Sequence, residues 1–423
     1  MKTVIKKNVA SFQQANTNLE NEILSLKQTL NKLQSKLKKN IILPINVVFL
    51  CEQQALYKSF ATLVENFSQD KRFKVFVINL WCKDYEKDGS YKYVNPHIEK
   101  ICNAQNVQIL ESYDVARDQW LDLEKLNPDY VFFNRPYDYY RNEKYHIENI
   151  AKYAKACYIP YGMCIIGGEV EKFTKPEDFC SQLYFLFLST SFESIGIKKN
   201  LSHLKNLDDR HLLYMGYPRL DVLRNKLENN QFNSDKFNIL WLPRWNTSEG
   251  NCSFFDYKDA LLQYAKEQTG SNLTFRPHPM CFSNFLKTGE MTPDELEAFK
   301  ANFADKTVAQ IDESGDYTEA FLNSSVLVAD ETSLLGEYFI TEKPIIFCEK
   351  IPHFSALMEV LVDGMYVVKN KEDLISTLDV LRNGQDPLKE KRLELIHQYL
   401  LDYGESAAEN IKNVLISDVQ ETL

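Results

Sequence analysis

Apolar and polar positions along the chain follow two different periods, and the change between them comes near residue 40. From Phe12 to Leu37 the positions Phe12, Asn16, Leu19, Ile23, Leu26, Leu30, Leu33 and Leu37 advance in alternating steps of four and three. That spacing lays one apolar seam along a helix, with Gln, Asn, Glu, Lys and Ser on the solvated back face. The pattern predicts an N-terminal coiled-coil helix over 1–40, with Asn16 favouring one register. It would pair as a homo-oligomer through residues 10–38, fold as a helical hairpin, or dock on its own domain. Lys36, Lys38 and Lys39 at its end offer positive charge to an anionic membrane surface.

After Ile41 short β-rich runs alternate with helical stretches. Ile45–Leu50, Lys74–Leu80, Val107–Leu110, Tyr130–Phe133 and Ala156–Pro160 are the strand runs of a first unit, with a helix expected over Leu56–Phe67. The polar stretch Arg224–Lys236 marks a linker. Alternation then resumes with Asn238–Leu242, Leu273–Arg276, Ser325–Ala329 and Pro344–Phe347. Buried strands separated by helices predict parallel sheets with crossover connections. The expected organisation is therefore α/β, with Rossmann-like domains over 41–225 and 236–387 and a helical tail over 388–423. Two such domains facing a cleft make the GT-B architecture, whose ligands lie at the carboxyl ends of strands.

Composition narrows the function classes. A formal net charge of −10 over 423 residues argues against broad nucleic-acid binding, though a local anion site remains open. Nine scattered cysteines without a CxxC pair, and without a signal peptide before them, predict reduced thiols and a cytoplasmic protein, for which the basic end at Lys36–Lys39 leaves a peripheral place at the inner face of the membrane open. No apolar run reaches the ~20 residues needed to cross a bilayer. Neither a DxD nor an HxxxH cluster stands out, so neither a metal nor a cofactor is expected.

Three polar groups fall at strand ends of the second unit. They are Pro243-Arg244-Trp245-Asn246, Arg276-Pro277-His278-Pro279, and Asp330-Glu331-Thr332-Ser333 running on to Glu337. Hydroxyls and N–H groups at a helix start suit an anion, which assigns Thr332 and Ser333 to a phosphate. His278, set between two prolines, would donate to a phosphate oxygen. Arg244, Trp245, Arg276 and Asp330 complete the donor-binding set, and Glu337 would accept from a ribose diol.

The stretch from Asp316 through Ser333 to Lys343-Pro344-Ile345-Ile346-Phe347 resembles the CDP-glycerol glycerophosphotransferase family of teichoic-acid and capsule enzymes. Gly216-Tyr217-Pro218-Arg219-Leu220-Asp221 is similar to that family's junction segment, and Arg276-Pro277-His278-Pro279 to its His-Pro motif. The match covers about residues 125–350. It implies transfer of glycerol- or ribitol-phosphate from a CDP-activated donor to a cell-surface glycan, capsule or lipid-linked acceptor, with His278 on the donor pyrophosphate. The family's Trp-His-Gly element, implied to supply the base, aligns with Pro160-Tyr161-Gly162 and has no histidine here. Tyr161 then stands at the base position, and Glu52 after the first strand, or His146, are the other candidates. Two further readings stay open at this point: a GT-B glycosyltransferase using a nucleotide sugar, and a non-catalytic coiled-coil scaffold with a degenerate site.

Overall fold

The structure is a computed structural model that describes residues 44–86, 88–163, 177–191, 197–199, 201–229, 235–350, 354–404 and 406–422. The heptad segment and its expected coiled coil lie outside the described residues.

The first half builds a seven-stranded parallel sheet from Ile45–Cys51 (β1), Phe73–Asn79 (β2), Val107–Glu111 (β3), Tyr130–Phe133 (β4), Lys155–Tyr158 (β5), Phe185–Leu188 (β6) and Leu212–Tyr214 (β7). The second half builds a six-stranded parallel sheet from Phe237–Leu242 (β8), Ser271–Phe275 (β9), Ala309–Ile311 (β10), Val326–Ala329 (β11), Ile345–Cys348 (β12) and Tyr366–Val368 (β13). Counted in chain order within each half, the first six strands lie as 3-2-1-4-5-6 in both sheets, and the first sheet adds β7 at its edge. The order reverses between β1 and β4, and again between β8 and β11. Such a reversal leaves a crevice at the carboxyl ends of the two strands.

Both faces of each sheet are covered, which is why the strands read as continuous apolar runs. Successive side chains still part to opposite faces. Val48, Leu50, Phe76, Ile78, Val131 and Phe133 enter one core, while Val47, Phe49, Val75, Val77, Tyr130 and Phe132 enter another. In the second sheet Ile239 and Trp241 face one way, Leu240 and Leu242 the other. Four strands were not marked by the pattern: β6, β7, β10 and β13. Three of them, β7, β10 and β13, have only three residues each, too few for a period to show. The expected linker at Arg224–Lys236 begins later than its polarity suggests. The helix Pro218–Asn229 runs into it, anchored by the fully buried Leu220 and Leu223.

That helix opens the junction segment, where three residues do three jobs. Gly216 has φ +88°, and a Cβ there would run into the Tyr403 ring, so glycine is required. Asp221 accepts from Ala407 N and Ala408 N, both at 3.0 Å, and so caps the final helix Ala407–Thr422. Ala408, Ile411 and Leu415 of that helix pack into a core of the first half, and Asp418 ties to Lys155 at 2.6 Å. Arg219 crosses to the second half. No helix among the described residues is long and apolar enough to cross a membrane.

Candidate functional site

Where the two halves meet, loops from the carboxyl ends of β8, β9 and β11 face the start of the helix Gln54–Ser68 across a cleft of about 740 Å³. Of the residues singled out in the sequence, Arg244, Trp245, Arg276, His278, Thr332, Ser333, Glu337 and Tyr161 line it. Asp330 and Glu52 do not.

His278 is held from three sides. Pro277 and Pro279 stiffen its backbone, and its ring stacks on Trp245 with centroids 5.3 Å apart and planes at 21°. The backbone N–H of Met280 donates to Nδ1 at 3.2 Å, so a neutral ring carries its proton on Nε2. Burial, aided by the Arg244 guanidinium, holds the imidazole pKa below its usual value. The side chain is therefore a neutral hydrogen-bond donor near pH 7.

Two arginines line the cleft in fixed poses. Arg276 pairs with Asp312 at 2.5 Å and donates to Ser314 Oγ at 3.0 Å and Ser314 O at 2.7 Å. Arg244 pairs with Glu249 and donates from Nη1 to Glu331 O at 3.0 Å. Its backbone N–H goes to Asp330 Oδ1 at 2.6 Å. Asp330 is thus a correction to the expected donor set. Its carboxylate is 1% exposed and also accepts from Ser253 N at 2.7 Å and Ser253 Oγ at 2.8 Å. It ties the β8 loop to the β11 loop, and burial pushes its pKa up to about 6.

The helix after Thr332 and Ser333 is short, Leu334–Phe339, with Ser333 at its N-cap and no side-chain cap. Six residues sum to a small dipole, so the expected anion site rests on hydroxyls, N–H groups and cations rather than on a long helix. Glu337 reaches the cleft but is 5% exposed, accepts from the Tyr317 hydroxyl and lies 3.8 Å from Arg219 Nε. Burial raises its pKa against the pull of Arg219. Its carboxylate is already engaged, which changes the expected free ribose acceptor into part of a buried cluster.

Two cations, Lys58 in the cleft lining and Arg219 behind it, were given no role by the sequence reading. Lys58, on the helix Gln54–Ser68, reaches across to the Gly315 carbonyl and sits 4.7 Å from the Tyr317 ring centroid, with Asp316 at 3.7 Å. Burial lowers its pKa. Arg219 donates to Asp316 Oδ1 at 2.9 Å and Thr318 Oγ1 at 2.6 Å, with its guanidinium 4.9 Å from the Tyr317 ring. Together they bolt the first half to the segment 315–318. A lysine on an amphipathic helix reads as solvent-facing, so nothing local marks Lys58. Arg219 lay in the quoted junction segment, but its partners are 97 and 99 residues away.

Glu52 requires a second correction. It lies beside the cleft rather than in it, with a side chain 1% exposed. Arg141 donates to Oε1 from Nε at 2.8 Å and from Nη2 at 2.5 Å, and Arg135 Nη1 lies 3.3 Å from Oε2. A carboxylate shared by two buried guanidiniums is a structural ion cluster and has no oxygen turned to a substrate in the cleft. Tyr161 does line the cleft and is 38% exposed, and its carbonyl accepts from Tyr217 OH at 2.8 Å. His146 stands at the start of the short helix Ile147–Ile150, away from the cleft lining. Among the described residues no group of three or more His, Cys, Asp or Glu is arranged to hold a metal ion.

A family model described as CDP-Glycerol:Poly(glycerophosphate) glycerophosphotransferase matches residues 171–415, more than half of the chain. No curated protein matches it in sequence. Among solved structures the wall teichoic acid polymerase TagF is similar at 16% identity, covering 98% of each chain with a TM-score of 0.60. A putative UDP-N-acetylglucosamine 2-epimerase from Listeria monocytogenes is similar at 13% identity, covering 90% of this chain and 98% of that one, with a TM-score of 0.60. The UDP-GlcNAc 2-epimerase from Neisseria meningitidis bound to UDP-GlcNAc is similar at 12% identity over 88% and 100% of the two chains, with a TM-score of 0.59. These likenesses establish the GT-B-like fold.

Proposed function

The chain belongs to the CDP-glycerol:poly(glycerophosphate) glycerophosphotransferase family, a family of transferases, and we propose that its cleft transfers a polyol phosphate from a CDP-activated donor to an acceptor hydroxyl of a cell-surface polymer. The observation that carries this reading is the convergence of His278, Thr332, Ser333, Arg244 and Arg276 on one interdomain cleft. The second half would hold the nucleotide and the first half the acceptor.

The donor would lie with its diphosphate against the Thr332 and Ser333 hydroxyls and the Nε2–H of His278. The acceptor oxygen bonds to the distal phosphorus and gives up its proton to the departing phosphate or to water, the bond from that phosphorus to the bridging oxygen breaks, and CMP leaves with the bridging oxygen. Charge builds on the departing phosphate, where a neutral donor and two fixed guanidiniums stabilise it. Phosphoryl transfer of this type asks the protein mainly for positioning and charge stabilisation. This fits a cleft whose buried Glu337 is engaged by Tyr317 and Arg219 and whose neighbour Glu52 is sealed by arginines. The Tyr161 hydroxyl is the cleft side chain at the position of the family's base and would help to orient the acceptor.

His278→Ala is expected to lower kcat for CMP release from CDP-glycerol by about 10²–10³-fold, the usual cost of losing a transition-state donor. Thermal unfolding should stay where it is, because the ring packs mainly on Trp245. An unchanged rate would remove the imidazole from the reaction. Thermal shift with CDP-glycerol and UDP-N-acetylglucosamine adds a separate check: stabilisation by the nucleotide sugar alone would sink the polyol-phosphate assignment.

A further inference from the structure

A second cavity, of about 450 Å³, lies on the other side of the turn that joins β1 to the helix Gln54–Ser68. Gln53 and Gln54 line this cavity, whereas Ala55, Leu56 and Lys58 line the donor cleft, so one short segment separates the two. The cavity sits at the carboxyl ends of β1, β2 and β4, where the strand order of the first sheet reverses. Doubly wound sheets place ligands at such points.

Its walls are polar and close to neutral, with one ring, Tyr140, at the rim where an aromatic strip begins. Glu52 at its base is compensated by Arg135, and Lys83 offsets Asp84. The Arg135 guanidinium lies 4.0 Å from the Tyr140 ring centroid. From there rings run outward along the hairpin Cys82–Tyr85/Tyr91–Val94: Tyr85 is 6.3 Å from Tyr140, Tyr91 is 5.5 Å from Tyr85, and Tyr93 is 5.6 Å from Tyr91. Tyr85, Tyr91 and Tyr139 are 44%, 49% and 55% exposed, well beyond what a packed core leaves. Tyr93 meets Trp120 at 4.7 Å, and Trp120 lines a third cavity, of about 740 Å³, with Trp81, Asn95, Glu111, Asp114 and Asp122. Lys125 is the only cation among the residues lining that cavity.

Rings with one apolar face and a polar edge, set beside amides and carboxylates, match the C–H faces and hydroxyl edges of a sugar. The carboxylates of the third cavity disfavour a polyphosphate chain or an anionic membrane. Resting on the donor reading above, we propose that this strip from Trp120 to Tyr140 binds a neutral, polyhydroxylated sugar acceptor. It would deliver one hydroxyl past Gln53 into the donor cleft.

The test uses the full chain and three probes in isothermal titration: a neutral amino-sugar tetrasaccharide, a glycerol-phosphate tetramer, and vesicles rich in anionic lipid. CDP-glycerol is titrated in parallel. The tetrasaccharide should bind, and Tyr85→Ala together with Tyr91→Ala should weaken it about tenfold, with Tyr139→Ala as a second, independent variant. CDP-glycerol affinity should not change in any of them, since none of these residues lines the donor cleft. No tetrasaccharide binding, or glycerol-phosphate or vesicle binding that these variants abolish, overturns the proposal. Loss of CDP-glycerol binding in the unmodified chain would instead remove the donor reading, so the two failures are told apart.

Discussion

The two sheets share a strand order and pair an acid with an arginine at each reversal point, but with the partners exchanged. In the first half the acid follows the opening strand and the arginine follows the fourth: Glu52 after β1, Arg135 after β4. In the second half Arg244 follows β8 and Asp330 follows β11. The outcomes differ. The first pair gains Arg141, whose side chain is fully buried, and the cluster closes on itself. In the second pair Asp330 takes only backbone and hydroxyl donors, and the Arg244 guanidinium pairs instead with Glu249 and lines the cleft at 19% exposure. The same topology thus yields one sealed ion cluster and one arginine held at the cleft wall, and the difference lies in which acid reaches the guanidinium.

Glu52→Gln offers the hardest test of that contrast. It leaves two guanidiniums short of their counter-charge and should cost about 3–5 kcal/mol in chemical denaturation. A stable Glu52→Gln protein that has lost transfer would break the comparison and return Glu52 to catalysis. Asp330→Asn should cost less, about 1–3 kcal/mol, because its amide cannot accept all three hydrogen bonds. Here pH gives a second reading. A carboxyl whose folded pKa lies above its unfolded value binds its proton more tightly in the folded state. Its contribution to stability is fully present below the unfolded pKa near 4 and is lost as pH rises through about 6. The unmodified protein should therefore carry a fall in stability across that window that Asp330→Asn lacks, read from denaturation midpoints between pH 4 and 7. Smallest is Ser333→Ala. The residue is exposed, so unfolding should not move, while KM for CDP-glycerol should rise by a factor of roughly 3–10, the worth of one neutral hydrogen bond. An unchanged KM would take the hydroxyl out of the donor site.

Alternating apolar runs marked the α/β class, both sheets and nine of the thirteen strands, since a strand covered on both faces shows itself as a continuous apolar run. The motifs at strand ends led to the cleft, and eight residues marked in advance line it, because topology sends consecutive strand ends of a parallel sheet to one edge. What each charged group does there was settled by partners far along the chain. Asp330 and Glu52 read locally as ligand and base, yet Ser253 and Arg244 claim the first, and Arg135 and Arg141 the second. Lys58 was invisible because its cleft position depends on segment 315–317, about 257 residues away. Hydrophobic periodicity, written in adjacent residues, was enough for the longer elements and for the strand ends that share an edge. Which charges are spent on one another, and which of them also face the cleft, came from the folded arrangement, since an ion pair depends on distance in space and not on separation along the chain.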